Sequence, residues 1–212
     1  MVDENKAQFA KDEDLERAKA LWQENGKSIV SGIVIGLCAI GGYNFWQSHQ
    51  KSQGEDASEL FDQLRASSTS GASPEAIAKN LFEDYGETPY ANFAAFYMAK
   101  ISVESSDLEA AKVYLNRVVE QSKDPGMVHV ARTRLASVYL AAGEAGEALS
   151  VLDVSDYSSF AGRYEELKGD AYAALGQIEE ARQAYESSLL SDTAGALRGL
   201  IQLKLDNLGQ GG

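Results

Sequence analysis

Residues 28–50 form an uncharged run of 23 residues between Lys27 and Lys51, and residues 28–46 of it are almost wholly apolar. A helix rises about 1.5 Å per residue, so residues 28–46 would extend about 28 Å, close to the roughly 30 Å hydrocarbon core of a bilayer. No other segment of the sequence approaches this length without a charge. The run therefore predicts a single transmembrane helix at residues 28–46.

A buried core helix and a cleaved signal peptide are the alternative interpretations of this run. A core helix is usually shorter or striped with polar residues. A signal peptide has a short basic leader and a small-residue cleavage site, whereas this run follows 27 residues rich in acid and ends in Tyr43, Phe45 and Trp46. Aromatic rings collect at the membrane–water interface, which favours the transmembrane interpretation.

Positively charged residues are concentrated before the apolar run. Residues 1–27 carry five Lys or Arg residues, whereas the other flank has Lys51 and then nothing basic until Arg65. Because the more basic flank of a membrane helix stays in the cytoplasm, we expect residues 1–27 to be a cytoplasmic arm and the C-terminal region to be exported. We expect residues 1–13 of this arm to lack regular structure.

The region after the apolar run is acidic. From residue 52 to residue 212 there are 13 Lys and Arg residues against 25 Asp and Glu residues, a net charge of −12. Nucleic-acid binding depends on basic contacts to phosphate, so the charge argues against a nucleic-acid partner. The single cysteine, Cys38, lies within the apolar run, so no intramolecular disulfide can form and packing alone must hold the exported domain.

Proline positions and the lack of a strand pattern indicate an all-α exported domain. Pro74, Pro89 and Pro125 each follow a Ser, Thr or Asp residue, the arrangement of a helix cap with proline at the first helical position. The alternation of Val, Ile and Thr typical of strands is absent. We expect residues 47–73 to form a helical extension and linker, with a loop from residue 67, and residues 74–212 to form the domain. The expected helices span residues 75–85, 89–104, 107–122, 126–142, 145–153, 158–174, 177–190 and 194–207.

An internal repeat specifies the fold further. Residues 169–189 fit the tetratricopeptide pattern of a small residue, Tyr, Gly, Ala and an aromatic residue. The matching residues are Gly169, Tyr172, Gly176, Ala181 and Tyr185. The same residue types occur 33 residues earlier at Tyr139, Gly143 and Ala148, and a weaker third copy places Ala111 at a spacing of 37 before Ala148. Because such residues pack helical hairpins together, they predict a tetratricopeptide-like α-solenoid.

No group of residues has the spacing of a catalytic or metal site. The two histidines, His49 and His129, have no Cys or carboxylate residues around them in a ligand pattern. The glycine-rich segments lack the lysine of a phosphate-binding loop. We therefore predict no catalytic residues, no cofactor and no metal, and infer that the chain is not an enzyme.

Two surfaces are candidates for binding. Solenoids commonly bind partners on the concave surface formed by the first helix of each hairpin. With the three copies in register, the predicted partner-binding residues are Phe93, Phe96, Lys100, Thr133, Ser137, Leu140, Arg163, Glu166 and Asp170. For Phe93 and Phe96, and for the neighbouring Tyr97, burial in the core is the favoured alternative. In the apolar run, Gly32 and Gly36 form a GxxxG pair at which a second membrane helix can pack closely, although glycine is also common in membrane helices without such a role.

Several segments resemble the YfgM-type family of ancillary subunits of the bacterial Sec translocon. The most specific are WQENGK at residues 22–27, the end of the apolar run at residues 46–49, and LKLDNL near the C-terminus. The segment TPYANFAAFYMAK and the repeat at residues 169–185 agree as well. The likeness covers nearly the whole chain.

The resemblance implies a Gram-negative inner-membrane protein with a periplasmic tetratricopeptide-like domain. Its implied partners are the SecYEG translocon, a membrane-anchored periplasmic chaperone of the prolyl-isomerase type, unfolded or nascent envelope proteins, and membrane lipid through one span. It implies assistance to newly translocated proteins rather than catalysis. The alternative function is a general inner-membrane scaffold for envelope or cell-division complexes, without contact with Sec.

Overall fold

The computed structural model describes residues 2–191, 195 and 198–208, with the backbone alone for residues 2–14, 18, 21, 29 and 68–70. Within this part of the chain every regular element is helical, and the predicted all-α fold class is confirmed. The helices are α1 (Val2–Ser70), α2 (Pro74–Asp84), α3 (Pro89–Glu104), α4 (Leu108–Gln121), α5 (Pro125–Ala141), α6 (Ala145–Leu152), α7 (Ala161–Ala174), α8 (Ile178–Leu190) and α9 (Arg198–Leu208), with a short 3-10 turn at Ser158–Phe160 before α7.

The chain divides into two compact units, Met1–Gln53 and Gly54–Gly212. In the first unit, α1 exposes large apolar side chains on all sides, among them Ile35, Leu37 and Phe45. Among the described residues, this is the one helix long and apolar enough to cross a membrane, judged by length and composition, and none of its apolar stretch is buried. A helix of a protein core is mostly buried, so the core-helix alternative does not fit this exposure.

Helix α1 begins and ends beyond the predicted limits. We expected residues 1–13 to lack regular structure, but α1 begins at Val2. This segment lacks an apolar stripe, yet it is rich in Glu, Lys, Ala and Gln, which have high intrinsic helix propensity. The loop expected from residue 67 is also shorter, because α1 continues to Ser70 and ends where Gly71 takes a φ of 72°.

The last turns of α1 belong to the second unit. Ala57 and Leu64 are fully buried and form one core cluster with Leu81 of α2 and Met98 of α3. Burial of these apolar side chains explains why the helix continues beyond the apolar run, as expected for the helical extension. Residues 54–70 are therefore part of the packed helical domain.

Successive helices of the second unit form a solenoid. Each helix from α2 to α8 packs against the next helix along the chain. In addition, α5 contacts both α3 and α7. The bounds of α2 to α8 agree with the predicted ranges to within a few residues. The predicted start of the last helix, residue 194, lies outside the described residues.

Three turns of identical hydrogen bonding define the repeat. After α5, the N–H of Gly143 donates to the carbonyl oxygen of Leu140 at 3.1 Å, and Gly143 has a φ of 78°. Gly176 after α7 and Ser106 after α3 occupy the same position, with φ of 74° and 64°, and make the corresponding bonds. The weak third copy therefore closes its helix in the same way, with serine where the other two have the glycine that left-handed backbone favours.

Small side chains let the two helices of a hairpin approach closely. Ala148 and Ala181 are fully buried at the predicted positions. A Cβ added at Gly169 of α7 would overlap the ring of Tyr185 on α8. The sequence pattern thus identified packing residues, as predicted.

Candidate functional site

A large apolar groove lies along the first helices α3 and α5. Its volume is about 1190 Å³, above the roughly 300–1,000 Å³ of clefts that hold drug-sized ligands. Its apolar lining includes Phe61, Phe93, Phe96, Tyr97, Val103, Met127, Val130 and Phe160. This surface is called the groove below.

Helical spacing places the lining residues on one face of each helix. Helix α3 contributes Phe93, Phe96, Lys100 and Val103, and helix α5 contributes Met127, Val130, Arg134, Ser137 and Ala141. Residues three or four positions apart share a face of a helix, so each set forms a continuous stripe. Asp124 caps α5 at one end of the groove by accepting hydrogen bonds from the N–H groups of Gly126 at 2.8 Å and Met127 at 3.2 Å.

Two cations lie on the groove, and they differ in their partners. Lys100 forms an ion pair with Glu104 at 3.5 Å. The guanidinium carbon of Arg134 lies 4.6 Å from the centroid of the Phe96 ring, a cation–π contact. In the described part of the chain, no carboxylate oxygen lies within 4.0 Å of the Arg134 guanidinium. Arg134 is thus held by an aromatic ring and has no counter-charge beside it.

Four of the nine predicted partner-binding residues come together in the groove: Phe93, Phe96, Lys100 and Ser137. Phe93 is 38% exposed, so burial in the core does not describe it. Phe96 is half-buried and both lines the groove and packs against two core clusters. The core alternative therefore applies in part to Phe96.

Two of the predicted partner-binding residues, both on α5, face the core. Thr133 is buried, and its hydroxyl donates to the carbonyl oxygen of Val130 at 3.0 Å. Leu140 packs against the cluster around Leu152 and Tyr164. Neither side chain lies in the groove.

The remaining three predicted residues form an intramolecular network on α7. Glu166 is buried and makes ion pairs with Arg163 of the same helix and Lys204 of α9. Asp170 accepts from Lys204 at 2.6 Å and from the Tyr185 hydroxyl at 2.7 Å. Burial raises the pKa of Tyr185, and its hydrogen bond to Asp170 adds to the shift, so this phenol stays protonated as a donor.

Several groove residues were not among the predicted partner-binding residues, for example Arg134, Met127 and Phe160. On α5 the signal was present, because residues 127, 130, 134, 137 and 141 recur at helical spacing. Phe160 had no such signal, since it lies in the 3-10 turn before α7. There its ring stacks on that of His129 at 5.1 Å between centroids, and His129 Nδ1 lies 2.8 Å from the Tyr164 hydroxyl.

No metal-binding cluster of three or more His, Cys, Asp or Glu residues occurs among the residues that the structure describes. The Gly32 and Gly36 pair lies on α1 in the first unit. A Cβ added at either position would meet nothing within 4 Å apart from its own helix. The pair thus leaves room for a second helix, and its packing role stays a prediction.

Helical hairpins with a common turn and a groove along their first helices define a tetratricopeptide-repeat-like protein. The model of the family described as "Tetratricopeptide repeat-like domain" matches residues 19–210. No solved structure matches the chain significantly.

Comparison with curated relatives identifies the family to which the chain belongs within this class of repeat proteins. The "Ancillary SecYEG translocon subunit" of Aggregatibacter actinomycetemcomitans is 34% identical over 93% of this chain and 97% of the relative. The proteins of the same name from Haemophilus influenzae and Escherichia coli K12 are 30% and 29% identical, over 93% and 92% of this chain and 97% and 95% of the relatives. The chain belongs to the family of ancillary SecYEG translocon subunits, as the sequence resemblance indicated. A repeat-like domain and an ancillary subunit are descriptions of binding proteins, in agreement with the prediction that the chain is not an enzyme.

Proposed function

We propose that this protein is a non-catalytic, membrane-anchored subunit that associates with the SecYEG translocon of the bacterial inner membrane. Residues 1–27 lie in the cytoplasm, residues 28–46 span the bilayer, and the helical domain lies in the periplasm. There the groove receives unfolded segments of newly translocated envelope proteins. The names of the relatives support the translocon partner, and the charge distribution around the apolar run supports the topology.

The single observation that carries the proposed binding function is the apolar groove on α3 and α5. Monomeric soluble proteins rarely expose large contiguous apolar surface without a binding role. Here Phe93 and Val103 are 38% and 44% exposed within the groove. An unfolded polypeptide also exposes apolar side chains, so the two surfaces can bury each other.

Anchoring makes weak binding sufficient. A domain tethered to the bilayer near the translocon exit meets emerging chains at a high effective concentration, so each groove contact can be weak and reversible. Reversible contacts suit a protein that must release its clients so that the clients can fold. A membrane-anchored chaperone of the prolyl-isomerase type is the proposed second partner, and the small Gly32 and Gly36 face of α1 is the proposed packing surface for another membrane helix.

Two exposed valines permit a matched test of client binding. Val103 of α3 lines the groove, whereas Val113 of α4 is 67% exposed and does not. We expect Val103→Asp in the full chain, reconstituted in nanodiscs, to weaken binding of a fluorescent, permanently unfolded polypeptide by about tenfold, because a carboxylate interrupts the apolar lining. Val113→Asp should bind like the wild type. Equal binding by both variants would show that clients do not use the groove.

Pull-down from detergent-solubilised membranes tests the translocon association separately. We expect the wild type and Val103→Asp to recover SecY and a periplasmic isomerase in equal amounts, because the membrane helix makes that contact. Replacement of residues 28–46 by an unrelated transmembrane helix should lower this recovery. Recovery of wall-synthesis enzymes in place of SecY would contradict the translocon proposal and favour the envelope scaffold.

A further inference from the structure

Arg134 differs from the other arginines of the second unit. Six of them have an oxygen partner on the protein: Arg65, Arg117, Arg132, Arg163, Arg182 and Arg198. Arg134 has only its contact with the Phe96 ring among the residues that the structure describes. A guanidinium group carries five N–H donors in a planar fork, so Arg134 keeps its donors available at the groove surface.

Arg134 lacks a carboxylate partner although the domain is rich in acidic residues. The chain from residue 52 onward carries 25 acidic against 13 basic residues, yet none of those carboxylates pairs with Arg134 in the described region. The other charged residues of the groove have partners on the protein: Lys100 and Glu104 form an exposed ion pair, and Asp124 caps α5. Among the described residues, Arg134 is therefore the groove cation that a ligand meets without a carboxylate partner.

We infer that Arg134 selects what the groove binds: a polypeptide segment that carries a carboxylate among apolar side chains. Planar, bidentate hydrogen bonding to a carboxylate is the interaction for which arginine is best suited. The stack on Phe96 fixes the guanidinium, so little side-chain freedom is lost when the ligand binds. This inference rests on the proposed function, because it names the class of segment that the same groove receives.

An anionic lipid combines a negative group with apolar chains as well, but the structure favours a polypeptide. The groove extends along two helices and is lined by aromatic rings from α1, α3 and the turn before α7, which suits several successive side chains.

Three matched peptides test the inference. Each is acetylated and amidated, so that it has no terminal charge, and contains Phe, Leu and Val around one central residue, which is Asp, Asn or Lys. Binding to the full chain in phosphatidylcholine nanodiscs is measured by fluorescence polarisation. We expect the Asp peptide to bind about fivefold more tightly than the Asn peptide, the upper range for a partly exposed ion pair, and the Lys peptide to bind most weakly.

Substitutions at Arg134 should change the preference more than the overall affinity. Arg134→Gln should bind the Asp and Asn peptides equally, and Arg134→Glu should prefer the Lys peptide. Arg182→Gln on α8, which removes an arginine paired with Glu179 outside the groove, should keep the wild-type preference. Circular dichroism of each variant verifies that the helical fold is retained.

The possible results separate this inference from the proposed function. Equal binding of all three peptides by the wild type, or an unchanged preference in Arg134→Gln, overturns the role of Arg134; if Val103→Asp still weakens binding, the groove remains the client site. Failure of every peptide to bind overturns both. Binding of dodecanoate in place of the peptides, lost in Arg134→Gln, overturns the inference in favour of a lipid ligand.

Discussion

Lys204 Nζ on α9 lies 2.6 Å from Asp170 Oδ2 on α7, and the same ammonium group pairs with Glu166, which is 1% exposed. One lysine thus joins the last helix of the chain to the first helix of the last hairpin. Helix α9 contributes a single fully buried side chain, Ile201. Leu205 and Leu208 pack, partly buried, against the same cluster as Ile201, and the ion pairs of Lys204 add to this contact.

Lys204→Gln is expected to lower the free energy of unfolding by about 1–2 kcal/mol, because a buried carboxylate loses one of its two cationic partners. Urea denaturation of the full chain in micelles, followed by circular dichroism, measures the change. Lys79→Gln is the control, since Lys79 and its partner Glu83 are 69% and 63% exposed and such surface pairs contribute little. Equal effects of the two substitutions would contradict a stabilising role for Lys204.

This network shows why the predicted partner surface coincides with the groove over only part of its length. Helical spacing located Glu166 and Asp170 on the first helix of a hairpin. Helical spacing could not reveal that Lys204, 34 residues after Asp170, forms ion pairs with both carboxylates. Contacts between residues distant in sequence depend on how the hairpins stack, and a single helix carries no information about that.

Gly169→Ala is expected to destabilise the protein by about 1–3 kcal/mol, because the new Cβ would overlap the Tyr185 ring in a packed interface. Tyr185 is 3% exposed and its hydroxyl bonds to Asp170 at 2.7 Å, so the ring cannot move aside freely. Gly146→Ala in α6 is the matched control: its Cβ would meet nothing within 4 Å, and alanine has the higher helix propensity. Thermal unfolding followed by circular dichroism should show a lower Tm for Gly169→Ala alone.

Ser106→Gly is expected to stabilise the chain by about 0.5–1 kcal/mol. Ser106 has a φ of 64°, in the left-handed region. This conformation is unfavourable for a residue with a Cβ atom and is not unfavourable for glycine. The reverse change at the equivalent turn, Gly143→Ser, should destabilise by a similar amount. Urea denaturation measures both, and stabilisation by Gly143→Ser would contradict the shared geometry of the two turns.

Local signals in the sequence located the helices. These signals fail where a residue adopts a conformation that is unusual for its type. Pro74, Pro89 and Pro125 each stand at the first position of a helix, as predicted. At these positions the fixed φ of proline suits a helix start whatever the tertiary context. Ser106 escaped notice because serine rarely adopts positive φ, so the turn of the third copy had no glycine to mark it.

The groove could be predicted as a surface but not residue by residue. On α5, Thr133 faces the core and Arg134 faces the groove, although they are adjacent in sequence. Successive residues of a helix are rotated by about 100°, so an error of one position in the register exchanges a buried residue for an exposed one. Phe61 and Phe160 reach the groove from α1 and the turn before α7, which only the folded structure brings together.

Membrane topology is testable with single cysteines, because the natural chain has one, Cys38. In a Cys38→Ser background, we expect Asp56→Cys to react with a membrane-impermeant maleimide in intact spheroplasts. Glu16→Cys should react only after lysis. Both positions are exposed on α1, so the difference reports the side of the membrane rather than burial in the protein.

The unsubstituted chain, in which Cys38 is the one cysteine, is the separate control for this experiment. Maleimide reacts with the thiolate, which forms in water and not in hydrocarbon, so Cys38 should stay unlabelled before and after lysis although its side chain is exposed on α1. Ready labelling of Cys38 in intact membranes would mean that water surrounds the apolar run. Labelling of Glu16→Cys before lysis, with Asp56→Cys protected, would instead reverse the orientation and place the groove in the cytoplasm, where it could not meet translocated chains.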